Sequence, residues 1–268
     1  MLKRILTSAV GLVVFFGILL SGELVFSIAV DIIIFTALYE VHRSMKSQSA
    51  ISAVGIICAA MMLVGFYFDN IKLAIILAVM LYMIISVFLH GKYTYKEVYS
   101  SAFITFFITF FFSALTKIRI NYGKEAVFLV FIFAWITDTG AYFSGRFLGK
   151  HKLISKVSPK KTWEGSIGGV ISAVVGALLY LLILNKAFNI HNVGGASYIG
   201  MSLLAVIASV FAQIGDLAAS SLKRDCGVMD FGIILPGHGG VMDRFDSVVF
   251  IAPMVYYFFV YFNKLLGL

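Results

Sequence analysis

Charge is scarce in this chain: only 13% of its 268 residues are Asp, Glu, Lys or Arg. Soluble globular domains carry about a quarter charged residues and are about half apolar. Here 61% of residues are hydrophobic and the mean hydropathy is +1.00, which excludes an ordinary soluble domain. Cysteine is scarcer still. Cys58 and Cys226 lie far apart and form neither a close pair nor a CxxC spacing, which excludes a disulfide framework and a metal-thiolate centre. Also missing are HExxH, a Walker P-loop, a dinucleotide GxGxxG and a Ser-His-Asp arrangement. Zinc proteolysis, P-loop phosphotransfer and serine hydrolysis therefore lack support.

What is present is long apolar runs, each able to cross a hydrocarbon core that needs roughly 20 apolar residues. They lie near 5–22, 24–41, 51–68, 72–90, 99–116, 125–143, 165–184, 198–217 and 246–263. The fold class is all-α, a polytopic integral membrane protein with about nine transmembrane helices. The start, MLKRILTSAVGLVVFFGILLSG, imitates a signal peptide but lacks an A-x-A site and is followed by further spans. It is read as the first transmembrane helix.

The net charge of +8 is explained first by topology and then by anionic headgroups, with no nucleic-acid partner. Fifteen of the 21 Lys and Arg fall on one side of the predicted spans. The positive-inside bias puts that side, and the N-terminus, in the cytoplasm. Residues 1–98 form about four spans with plain connections. Residues 99–268 form about five, with two polar connections, 144–164 and 218–245, at the cytoplasmic face. If there is chemistry, it belongs there.

Three constellations stand out. In AQIGDLAASSLKRD, residues 212–225, Asp216, Ser220 and Lys223 are spaced i, i+4, i+7 and share one helical face. They could hold a divalent metal and a phosphate; the plainer alternative is a helix end whose Lys223 and Arg224 snorkel to headgroups. In ILPGHGGVMDRFDS, residues 234–247, the Pro236–Gly240 turn cannot continue a helix and permits several N–H groups to converge on an anion. Asp243 and Asp246 follow on one face with Arg244 between them, a pattern suited to a hard cation such as Mg²⁺. A Gly-rich turn with acidic helix-capping residues is the alternative. In residues 136–169, Asp138 and Tyr142 are i, i+4, Arg146 follows, and Ser158, Lys160, Lys161, Thr162 and Glu164 precede a Gly-rich span. That segment either enforces topology or receives a polyanion, with Lys160 and Lys161 on phosphates and Asp138 facing a metal or ribose. Asp31, mid-span, is read as an interhelical polar contact. His42, His90, His151 and His191 have no metal-ligand spacing. Together these residues point to metal-assisted phosphoryl or nucleotidyl transfer.

The pattern S-x-L-K-R-x5-D-x-G-x2-L-P-G-H-G-G-x2-D-R-F-D, Ser220 to Asp246, closely resembles the signature of the phosphatidate cytidylyltransferases. Asp138–Arg146 (D-x-x-A-Y-x-x-G-R) and Ser158–Gly165 (S-P-K-K-T-W-E-G) resemble that family too. One position departs: the family usually has lysine before the aspartate of K-D-x-G, and here Met229 precedes Asp230. The resemblance implies transfer of CMP from CTP to phosphatidate, giving CDP-diacylglycerol and pyrophosphate at a bacterial cytoplasmic membrane. It implies Mg²⁺ held by Asp216 and Asp243, with Asp246 or a second cation completing the site. Lys223, Arg224 and Arg244 would neutralise the departing pyrophosphate, and Lys160 and Lys161 would take the other phosphate. The turn Gly237–Gly240 would offer backbone N–H groups, including those of Gly239 and Gly240, with His238 as an added donor. Ser220, Asp138, Tyr142, Arg146 and Ser158 would complete substrate binding, and the enzyme would be a homodimer. Two rival readings are a CTP-dependent kinase of polyprenols or phytol, and a transporter for an organic anion.

Overall fold

The computed structural model describes residues 2–47, 49–188, 195–235, 237 and 239–266. Eight helices and one hairpin run in the order α1 (Leu2–Leu20), α2 (Glu23–Ser44), α3 (Ser49–Tyr67), α4 (Ile71–Phe88), α5 (Tyr95–Leu148), β1 (Lys152–Ile154), β2 (Ser158–Thr162), α6 (Trp163–Phe188), α7 (Gly195–Asp225) and α8 (Met242–Leu266). Among the described residues, seven helices are long and apolar enough to cross a membrane, and α1 contributes the shorter apolar stretch Ala9–Leu20. This is an all-α polytopic membrane protein.

The nine predicted spans fall on eight helices because 99–116 and 125–143 both lie in α5, which is 54 residues long. Those 54 residues are two helices joined across a kink, each long enough for the ~30 Å hydrocarbon core. Gly123, with φ 81° and ψ −177°, interrupts α5 between the two apolar runs. Only glycine enters that region without strain.

The chain forms two compact units: Met1–Thr116 with Asp225–Arg244, and Lys117–Arg224 with Phe245–Leu268. In the first, α3 packs on α4 and on α2. Its core joins Ile51, Val54, Cys58 and Met62 to Ala78, Tyr82, Tyr93 and Val98. A buried polar knot sits beside it: His42 Nε2 meets Ser101 Oγ at 2.8 Å, and Tyr82 OH meets Ser101 and Thr105 at 3.2 and 2.9 Å. Asp31 accepts the Tyr67 hydroxyl at 2.8 Å, a contact between α2 and α3. Thr94 and Glu97 start α5 with reciprocal capping bonds, Thr94 N to Glu97 Oε2 at 2.8 Å and Glu97 N to Thr94 Oγ1 at 3.3 Å.

In the second unit small residues let helices approach backbone to backbone. A Cβ on Gly165 would stand 2.8 Å from the Ala141 carbonyl oxygen, and one on Gly169 3.0 Å from that of Thr137. These glycines, four apart, press α6 onto the last part of α5, the usual device of membrane helices that lack a hydrophobic drive to associate. Gln213 Nε2 donates to the Ser166 carbonyl at 3.2 Å, tying α7 to α6. Gly215 on α7 lies against Asp246 and Phe250 of α8.

The polar connection 144–164 is an extension of α5 followed by the antiparallel hairpin β1–β2. Its base is closed by His151, whose Nδ1 meets Glu164 Oε1 at 2.6 Å and whose carbonyl accepts Trp163 N. The connection 218–245 is likewise shortened, by α7 at one end and α8 at the other.

Gly169→Leu tests the seam. Its Cβ meets backbone, which cannot move aside as a side chain would, so it destabilises by about 1–3 kcal/mol. Thermal unfolding in detergent should show a lower Tm, while Gly17→Leu, with nothing within 4 Å of its Cβ, leaves Tm unchanged.

Candidate active site

Four elements of the second unit bring charged side chains together: Asp138 from α5, Lys161 from β2, Asp216, Ser220 and Lys223 from α7, and Asp246 from α8. Lys161 Nζ lies 2.5 Å from Asp216 Oδ2. Ser220 donates to the other oxygen, Asp216 Oδ1, at 3.4 Å. One turn on, Lys223 Nζ stands 4.0 Å from Asp246 Oδ2, and Asp246 Oδ1 accepts the Ser247 N–H at 2.8 Å. Asp138 lies within electrostatic range of Asp216 and Lys161, and Asp246 within range of Asp216, Lys223 and Asp138. The shared face of Asp216, Ser220 and Lys223 predicted from their spacing is the face that carries this cluster.

Strand geometry divides the lysine pair. Successive residues of a strand point to opposite faces. Lys161, half-buried, reaches Asp216, while Lys160 is exposed on the opposite face of β2. Thr162 then caps α6 by accepting the Gly165 N–H at 3.1 Å. Tyr142 and Arg146, i and i+4 on α5, pair with each other: Arg146 Nη1 donates to Tyr142 Oη at 3.0 Å, and both are exposed. Ser158 is half-buried at the start of β2, and Arg224 is exposed at the end of α7.

The first unit holds the signature turn. Gly237 and Gly239 take φ values of 80° and 82°, conformations that require glycine. Leu235 N donates to the Gly239 carbonyl at 3.0 Å; Pro236 and His238 lie outside the described residues. Asp243 is buried and its Oδ2 accepts two backbone donors, Phe231 N at 2.8 Å and Gly240 N at 2.9 Å. Arg244 is exposed. Met229, where the resembling family has lysine, is 81% exposed, so that position faces outward rather than into the core.

With all three carboxylates ionised, Asp138, Asp216 and Asp246 against Lys161 and Lys223 leave one net negative charge. A single divalent cation would reverse that sign. Among the described residues, no three carboxylate, imidazole or thiol groups converge as a ready-made cage. That suits Mg²⁺, which is usually held by one or two carboxylates and completed by water and phosphate oxygens. A transition-metal cage of nitrogen and sulfur ligands does not fit these donors.

Glu40 carried no signal in the sequence. It is a lone carboxylate near the end of an apolar helix, yet it is 1% exposed and meets the signature segment 200 residues away.

The fold is that of a membrane protein, and its carboxylate–lysine cluster has the charges that a phosphate ester would meet. The chain matches the model of the cytidylyltransferase family over residues 2–262, and it belongs to that family. It is 36% identical over 274 residues to a phosphatidate cytidylyltransferase of Bacillus subtilis (strain 168), covering 98% of this chain and 99% of that one. A protein of the same name from Staphylococcus saprophyticus is 34% identical over 261 residues, covering 94% and 96%. The Staphylococcus aureus (strain COL) protein of that name shows the same identity and coverage.

Asp243→Ala orphans two buried N–H groups, a loss of about 1–3 kcal/mol for each unsatisfied donor. Asp243→Asn keeps one carbonyl oxygen for them. Chemical or thermal unfolding should therefore rank wild type above Asn and Asn above Ala.

Proposed function

We propose that this chain transfers the CMP moiety of CTP to phosphatidate, releasing pyrophosphate and leaving CDP-diacylglycerol in the bilayer. The observation that carries the reading is the carboxylate–lysine cluster of the second unit, within a chain related over nearly its full length to proteins named for that reaction. An oxygen of the phosphatidate phosphate attacks the α-phosphorus of CTP. The bond from that phosphorus to the bridging oxygen breaks, and pyrophosphate takes its electron pair. The nucleophile is already anionic near neutral pH, so no general base is needed. The work left to the protein is bringing two polyanions together and stabilising the charge that shifts onto the leaving group.

Mg²⁺, carried by Asp216 and Asp246, would supply charge neutralisation at the phosphates. Lys161 and Lys223, which face these carboxylates, would neutralise phosphate oxygens. Ser220 orients Asp216, and Asp138 adds a third carboxylate. Arg224, Lys160, Arg146, Tyr142 and Ser158 offer further donors on the second unit. On the first, Arg244 is a further donor, and Asp243 closes the signature turn by accepting the Gly240 N–H. The N-terminus and the polar connections face the cytoplasm, as the lysine and arginine bias supports, at the bacterial inner membrane. The tails of phosphatidate stay among lipids while CTP arrives from water, and the enzyme works as a homodimer.

The test is purified protein with phosphatidate, Mg²⁺ and CTP labelled on the α-phosphate. Label should enter the lipid fraction, and Asp216→Asn should lower the rate by about 100-fold or more. Lys161→Ala should lose about tenfold more rate than Lys160→Ala, as the two faces of β2 require. Label reaching lipid only from the γ-phosphate, with CDP released, would instead establish an alcohol kinase.

A further inference from the structure

Within the first unit, the end of α2 grips the signature segment. Glu40 Oε1 accepts Val241 N at 3.0 Å and Oε2 accepts Met242 N at 2.9 Å. Met242 begins α8, so these are N–H groups that a helix start leaves without intrahelical partners. The carboxylate of one helix thus caps another. Ser44, four residues on and on the same face of α2, donates to the Phe231 carbonyl at 2.9 Å. Phe231 is held from both sides, since its N–H goes to Asp243.

Near its own helix C-terminus a carboxylate is disfavoured by the macrodipole, and burial compounds that cost. Glu40 is nevertheless 1% exposed, held by the two amide donors it caps. Two glycines record the closeness. A Cβ on Gly232 or on Gly240 would run into the Glu40 carboxylate, so a side chain at either position would have to displace it. Gly232 belongs to the D-x-G part of the signature and Gly240 to its G-H-G-G part. One carboxylate from outside the signature therefore accounts for two of its glycines.

We propose that Glu40 is a positioning residue for the proposed cytidylyl transfer: it fixes the Gly237–Asp243 turn by capping the start of α8. Its kinetic consequence rests on the function proposed above; its structural consequence does not. Since Val241 and Met242 already donate to Glu40, the phosphate-facing donors of this segment are other N–H groups of the turn.

The experiment compares Glu40→Ala and Glu40→Gln with wild type by hydrogen exchange of peptides spanning 231–243, alongside kcat and KM for CTP. Exchange of the Val241 and Met242 amides should speed up by about tenfold or more in Glu40→Ala. It should rise less in Glu40→Gln, which keeps one acceptor oxygen, while peptides from 51–62 and from α7 keep their wild-type rates. The value of kcat/KM for CTP should fall about tenfold in Glu40→Ala and recover in part in Glu40→Gln. Unchanged exchange at 231–243 in both variants overturns the proposal. So does faster exchange spread through α2 and α3, with kcat/KM per folded molecule unchanged, because that is a residue of the fold alone. If wild type transfers no label from CTP, the proposed function fails, and the exchange measurement still decides the role of Glu40.

Discussion

A carboxylate placed in an apolar span costs on the order of 3 kcal/mol unless something nearby answers its charge, and this chain places several there. Asp216, Asp246, Glu40 and Asp243 are answered in two different ways. In the second unit the answers are ammonium groups: Lys161 on Asp216 and Lys223 facing Asp246. In the first unit they are backbone N–H groups: Val241 and Met242 on Glu40, and Phe231 and Gly240 on Asp243. Asp31, with the Tyr67 hydroxyl, follows the second pattern with a side chain.

The difference has a functional meaning. A lysine on a flexible stem can exchange its carboxylate for a phosphate when a cation arrives, because the ammonium is a point charge with rotatable donors. A backbone amide at a helix start has no such freedom. The lysine-answered carboxylates are thus suited to chemistry that brings and removes charge, and the amide-answered ones to holding a shape. The half-exposed setting of the Lys161–Asp216 pair agrees with the first role, and the burial of Glu40 and Asp243 with the second.

Much of this was legible in the sequence, and the parts that were not share a cause. Apolar runs located the spans because burial in lipid is a property of composition, readable over any 20 residues. Asp216, Ser220 and Lys223 could be put on one face because helical spacing is local. The hairpin was not legible: S-P-K-K-T reads as a basic connection, and only pairing with 152–154 makes it a strand that sends Lys160 and Lys161 opposite ways. The helical course of 117–122, up to the break at Gly123, was hidden by polar residues that mark a loop in most chains. For Asp243, spacing reveals a carboxylate but not the two amides that its Oδ2 accepts. Glu40 was invisible, since its partners lie 201 and 202 residues away and leave no trace in local periodicity.

The central claim is that the carboxylates of the second unit carry the cation that accompanies the nucleotide. Manganese substitutes for magnesium at oxygen-rich sites and is paramagnetic, so its binding can be followed directly by electron paramagnetic resonance, independent of turnover. With CTP present, the wild-type protein should bind Mn²⁺, and the Asp216→Asn, Asp246→Asn double variant should lose that signal while keeping its fold. Mn²⁺ bound equally well by the double variant would contradict the account and move the metal away from this cluster.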